Sequence, residues 1–185
     1  PLLRETIFET NFSVAEMPFL ADHRVYGEVV APGACHLALI LNAADLLLGD
    51  GAVCRLADIV LPEALVVPED ASRTVQLLLT PVEMADSGEG RAYEMRMVSF
   101  DSPAEKPLTH LIGRLDQVAD PLQTTVEVVD LEALRRRCAE RVDVPAFYAR
   151  AAARHIGLAP NFRSLAAGRR GPRATVDRLR HPAEP

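Results

Sequence analysis

"FLADHRVYGEVVAPGACHLALILNAADLLLG", Phe19 to Gly49, sets one histidine, His23, ahead of a glycine, Gly27, and a proline, Pro32, and then runs into an apolar helical pattern. Pro32 opens that helix, because a proline at the first helical position lacks only an N–H that would go unpaired there. Gly49 in "GDG" ends it as a C-terminal cap. Leu37, Ile40, Leu41, Ala44 and Leu48 recur at three- and four-residue spacing. Further apolar residues occupy the remaining faces, so this helix is expected to be buried nearly all round.

Strand patterns surround it. In "TIFETNFSV", Ile7, Glu9 and Asn11 alternate with Phe8, Thr10 and Phe12, the signature of a half-buried strand, and "GEVV" after His23 is a second, shorter candidate. Four more follow as a meander: "VCRLADIVL", "TVQLLLTPVEM", "AYEMRMVSF" and "LTHLIGRLDQV". The loops "ADSGEG" and "DSPAEKP" between them carry the glycine, aspartate and proline that turns require. A long helix inserted early in a curved antiparallel sheet is buried only if the sheet wraps it, which is the α+β hotdog fold, expected over residues 1–118. After Asp120-Pro121 the pattern turns helical, with Asp130 placed to cap Leu131 onward and Val144-Pro145 separating a second helix. Residues 119–145 therefore read as a linker and 146–185 as the beginning of a second, incomplete unit, in which "GPRATVDRLRHP" supplies one more strand.

Composition narrows the chemistry. The chain has 185 residues, is 49% hydrophobic and 25% charged, and carries a formal net charge of −6. A nucleic-acid partner calls for a basic face, which this balance does not offer. The basic run "RRRCAER" reads as a solvated helix face. Cys35, Cys54 and Cys138 are odd in number and lack C-x-x-C spacing, so neither a disulfide framework nor a zinc site is expected. Cys35 reads as a small hydrophobe in the helix, and Met84, Met95 and Met97 as strand packing. The apolar run Leu37–Leu48 is too short to span a bilayer and no signal pattern precedes it, so a cytoplasmic protein without membrane contact is expected.

His23, Gly27 and Pro32 reproduce H-x-x-x-G-x-x-x-x-P, and with "FLADHRV" before and "VVAPGA" after, the stretch resembles the dehydratase domains of modular polyketide synthases. The resemblance extends through "PLLRE" (the usual "HPLL" start without its histidine), "RLADIVLPEALVVPED", "RTVQLLLTP" and "AFYARAAARHIGLAPNFRSL". It implies a double hotdog, a homodimer built through the first hotdog, neighbouring synthase domains and an acyl carrier protein that presents substrate on phosphopantetheine. No metal, flavin or nucleotide cofactor is implied. Two departures stand out. Where the family reads G-L-x-Y-G-P-x-F this chain has "GLAPNF" from Gly157, which implies a local deletion. The family's second catalytic residue, an aspartate in D-x-x-x-Q or D-x-x-x-H, lies deep in the second hotdog, beyond the expected end of this chain. Asp177 and His181 match that spacing by letter alone, inside what reads as an early strand.

The resemblance implies syn-type elimination of water from a 3-hydroxyacyl thioester, which needs a base for the C2 proton and an acid for the departing hydroxyl. His23 is the candidate base. Gly27 would let a thioester approach the backbone; Pro32 and Gly33 would aim helix N–H groups and the helix dipole at charge developing on the thioester oxygen. Tyr148 and Phe162 are candidate tunnel-wall residues, while His36, His110 and His155 are expected to be structural or exposed. Two alternatives remain open at this stage: an isomerase or cyclase on the same fold, and a silent scaffold or docking domain.

Overall fold

The computed structural model describes residues 5–49, 51–82, 90–100, 106–118, 129–172 and 174–179. In chain order the elements are β1 (Thr6–Phe12), β2 (His23–Val25), β3 (Glu28–Val29), α1 (Gly33–Leu48), β4 (Val53–Val60), β5 (Arg73–Val82), β6 (Ala92–Ser99), β7 (Leu108–Val118), α2 (Leu131–Arg137), β8 (Glu140–Val142), α3 (Val144–Ala153), β9 (Ile156–Leu158), β10 (Leu165–Arg170) and β11 (Thr175–Leu179). They form two compact units: Pro1–Met17 with Val30–Thr124, and Pro18–Val29 with Thr125–Pro185. The division is thus not the linear one drawn at residue 118. The segment holding His23 belongs with the later residues because β2 pairs with β9.

Unit 1 is a five-stranded antiparallel sheet in the order β1-β5-β6-β7-β4, with α1 against its inner face. Only β5-β6-β7 is a meander; β4 crosses to the far edge, beside β7, and β1 takes the edge beside β5. The alternation read in β1 holds, with Ile7, Glu9 and Asn11 outward and Phe12 buried. Val75, Leu77 and Leu79 of β5, Met95 and Met97 of β6, and Leu111 and Leu115 of β7 form the core, together with Ile40, Ala43 and Ala44 of α1. The expectation of a helix buried nearly all round is corrected here. Leu37 and Leu41 are partly exposed and Leu46 is 78% exposed, because the sheet covers one face of α1 only. The helix ends as read at Gly49, whose φ of 98° suits a glycine, but begins one residue later than expected, with Pro32 as extended N-terminal cap and Gly33 as its first residue. The loop tips read in "ADSGEG" and "DSPAEKP" fall largely outside the described residues.

Unit 2 contains two small antiparallel sheets, β3-β2-β9 and β11-β10-β8. Asp130 caps α2 through Ala133 N–H at 2.9 Å. Asp143 does the same for α3 through Ala146 N–H at 2.9 Å, so Val144-Pro145 begins that helix rather than separating it from what precedes. All three cysteines are free thiols. Burial pushes the Cys35 thiol up, and burial together with Asp45 does so at Cys54, the opposite of what a nucleophilic thiolate needs. Among the described residues no helix is long and apolar enough to cross a membrane, and no cluster of ligating side chains could hold a metal ion.

Candidate active site

His23 begins β2, half-buried, where a five-residue 3-10 turn at Pro18–Asp22 ends. Its register partner across the sheet is Leu158 of β9. The imidazole lies 5.2 Å from the ring of Phe162, tilted by 54°, and Phe162 in turn lies 6.5 Å from Phe19. The histidine of the motif and the phenylalanine of the second half are thus brought together by chain pairing and by aromatic contact.

The other motif positions have distinct physical reasons. The β2–β3 hairpin turns through Tyr26 and Gly27 at φ 53° and 91°, left-handed values that a glycine adopts freely and a tyrosine does not. A Cβ on Gly27 would meet nothing within 4 Å, so backbone conformation rather than space requires glycine there. Gly27 C=O accepts a hydrogen bond from Arg24 Nη1 at 2.9 Å. In unit 1, Pro32 and Gly33 open α1 with no side-chain cap, which leaves the first N–H groups of the helix without a capping oxygen of its own. Tyr148, on α3, uses its hydroxyl to accept from Leu165 N–H at 3.0 Å, and Arg163 sits over its ring at 5.5 Å. Asp177 is exposed on β11 opposite Gly168, and a Cβ there would come within 2.7 Å of the Asp177 carboxylate. His181 lies outside the described residues.

A second placement of the motif needs no deletion. Counting back from Pro160 and Phe162 of the 3-10 turn, G-L-x-Y-G-P-x-F overlays His155-Ile156-Gly157-Leu158-Ala159-Pro160-Asn161-Phe162 without a gap. The first glycine of the motif then falls on His155, which holds the left-handed φ of 60° that a glycine would supply. Sequence reading also passed over Asp22, whose carboxylate accepts from the backbone and side-chain N–H groups of Asn161 at 3.0 and 2.7 Å. Its position directly before His23 was the available signal. An apolar cleft of about 160 Å³ in unit 1, bounded by Phe8, Leu39, Ala43, Leu46, Leu77 and Met97, contains none of the motif residues.

A five-stranded antiparallel sheet carrying one long helix, with a histidine, glycine and proline spaced as in the family motif, defines a hotdog domain of dehydratase type. Residues 1–97 match the family model described as the polyketide synthase dehydratase domain, and the chain belongs to that family. It is 33% identical over 174 residues to the polyketide synthase ThaG of Burkholderia thailandensis, and 34% identical over 157 residues to the pikromycin synthase component PikAII of Streptomyces venezuelae. These alignments take in 88% and 84% of this chain but 3% and 4% of those proteins. Its backbone is similar to the dehydratase domain from the CurJ module of the curacin synthase, with a TM-score of 0.82 and 32% identity, covering 98% of this chain and 59% of that one.

Proposed function

We propose that the chain is part of a dehydratase that converts a 3-hydroxyacyl thioester, carried on the phosphopantetheine of an acyl carrier protein within a polyketide synthase, into the enoyl thioester. The observation that carries this reading is the seat of His23, at the start of β2 and against Phe162, inside a complete H-x-x-x-G-x-x-x-x-P motif. In the reaction the His23 imidazole takes the C2 proton, the electron pair forms the C2–C3 double bond, and the C3–O bond breaks. The hydroxyl leaves as water once an acid supplies the second proton. The Phe162 ring packs beside the half-buried His23 imidazole, and the open surround of Gly27 gives a thioester access to the backbone. Neither step calls for a metal or a redox cofactor.

The charge distribution supports a carrier partner. Unit 2 holds 13 arginines and no lysine against 9 carboxylates, a formal +4, whereas unit 1 holds 7 cations against 17 carboxylates, a formal −10. The unit that bears His23 is therefore the one suited to an acidic carrier. The deciding experiment compares the full-length protein with its His23→Phe variant on a carrier-bound 3-hydroxyacyl substrate, with loss of water followed by mass spectrometry. Loss of a catalytic base lowers turnover about 10²–10⁴-fold; equal turnover in the two proteins overturns the assignment.

A further inference from the structure

His23 is bracketed by two contacts that the motif itself does not demand. On one side the Asp22 carboxylate takes both N–H donors of Asn161, and the Asp22 carbonyl accepts from Ala159 N–H at 2.9 Å. On the other, Tyr26 N–H donates to His155 C=O at 2.8 Å, and the two rings stack at 5.1 Å and 23°. Between these clasps β2 and β9 pair through His23↔Leu158, Arg24↔Gly157 and Val25↔Ile156, so Tyr26 and His155 add one further rung beyond the strands. The segment from His155 to Phe162 is thus tied to the base-bearing strand at both ends. Its last residue is the one whose ring lies against the imidazole.

The second clasp is held against backbone preference. Tyr26 and His155 both sit at left-handed φ, a region that side chains other than glycine enter at a cost, less for histidine, asparagine and aspartate than for tyrosine, and keep where their surroundings over-determine them. At residue 155 the resembled motif has glycine, which would sit there unstrained. What the histidine adds is a ring to stack on Tyr26, itself 76% exposed. The geometry points to His155 and Asn161 as positioning residues that act through Phe162 and the β2–β9 pairing to hold the His23 imidazole in a single orientation. For its catalytic consequence the inference rests on His23 being the base.

The test sets strain against positioning in the full-length protein. His155→Gly releases the left-handed strain while removing the ring; Asn161→Ala removes the amide donor; Asn161→Ser keeps a hydroxyl donor for Asp22. Melting temperature, kcat and KM for a 3-hydroxyacyl thioester, and the ¹⁵N resonances of the His23 ring are measured for each. The expected result for His155→Gly is a melting temperature equal to or above wild type, with kcat about tenfold lower and KM within about twofold, because a small misplacement of a reacting group acts on the chemical step. Asn161→Ala lowers kcat similarly, Asn161→Ser restores most of it, and the His23 ring signals broaden in the first two variants. Wild-type kcat with unchanged ring signals in both overturns the inference, as does a fall in kcat that only tracks a fall in melting temperature. If wild type itself fails to dehydrate, the proposed function falls. The ring resonances then decide the positioning role alone: broadening in the variants upholds it, and unchanged lines remove it.

Discussion

Ile40 and Leu41 are consecutive on α1, yet Ile40 is sealed at 0% exposure and Leu41 is 46% exposed. One residue of helix turns the side chain by about 100°, enough to carry it from the sheet side to the open side. Ile40→Asp places a carboxylate among core side chains with no partner, and a domain of total stability about 5–15 kcal/mol does not fold with it. Ile40→Ala costs about 2–5 kcal/mol. Leu41→Asp costs about 1 kcal/mol or less in this chain. Urea midpoints of the three variants check the ordering; equal loss at both positions would contradict a one-sided helix.

The arginine excess of unit 2 gives a kinetic prediction. Arg150 and Arg154 lie exposed in the last turn of α3 and at its C-terminal cap, immediately before β9. Arg150→Glu with Arg154→Glu is expected to raise KM for a carrier-bound substrate about tenfold. KM for the same acyl group on a small free thiol should stay unchanged. The wild-type KM for the carrier-bound form should also rise with salt, since exposed charges are screened over about 8 Å at physiological ionic strength. A KM that is insensitive to both changes would place the carrier elsewhere.

Asp116 anchors the β4–β7 edge of the sheet. Its side chain is 6% exposed and accepts from Arg55 Nη2 at 2.7 Å and Arg114 Nε at 2.6 Å. Burial pushes this carboxyl up, but the hydrogen bonds and charges of the two arginines outweigh it and hold the group below the ordinary aspartate range. Asp116→Asn is expected to destabilise by about 1.5–3 kcal/mol, the range for hydrogen bonds to a charged group. Asp116→Leu removes the acceptor and leaves behind two arginines whose side chains, 69% and 44% exposed, reach solvent, so it should cost no more. Denaturant titration of both variants tests this, and an Asp116→Asn midpoint equal to wild type would show the pair to be inert.

Unit 1 was legible in the sequence because period and punctuation agreed there. Alternation in β1, the Pro32-to-Gly49 helix and the strand runs each satisfied one local rule. Strand order was less legible: β4 pairs with β7 across more than fifty residues, and no local signal encodes such a pairing. The same holds for His23. The motif singled it out, but β2 is three residues long and becomes a strand only by pairing with β9, which lies more than a hundred residues later. Asp22 carries no local signal of its partner Asn161, and His155, expected to be structural or exposed, is exposed as read, while its stacking on Tyr26 depends on a partner too distant in sequence to be read.

Two buried histidines make unit 1 sensitive to mild acid. His36 Nδ1 lies 3.1 Å from Pro32 C=O and His110 Nδ1 lies 3.3 Å from Glu63 C=O; since a carbonyl only accepts, Nδ1 carries the proton in both. His110 Nε2 then accepts from the Ser99 hydroxyl at 2.7 Å, while His36 Nε2 is buried without a partner among the described residues. Burial pushes His36 down, opposed by the Pro32 carbonyl. Burial also pushes His110 down, opposed by the Glu63 carbonyl and reinforced by the charge of Arg73 and by that of His36 when its ring is protonated. The folded state therefore disfavours protonation of both rings relative to the unfolded chain, which takes up protons near pH 6.5. Stability is fully present above about pH 6.5 and falls as pH drops below it, because there the unfolded state binds more protons than the folded one. Asp116 acts in a separate window, below about pH 3.9, so the two effects do not overlap. Urea midpoints between pH 8 and pH 5.5 should decline in wild type below pH 6.5, and the decline should be shallower in His36→Leu. Parallel curves for the two proteins would show that His36 carries none of the acid sensitivity.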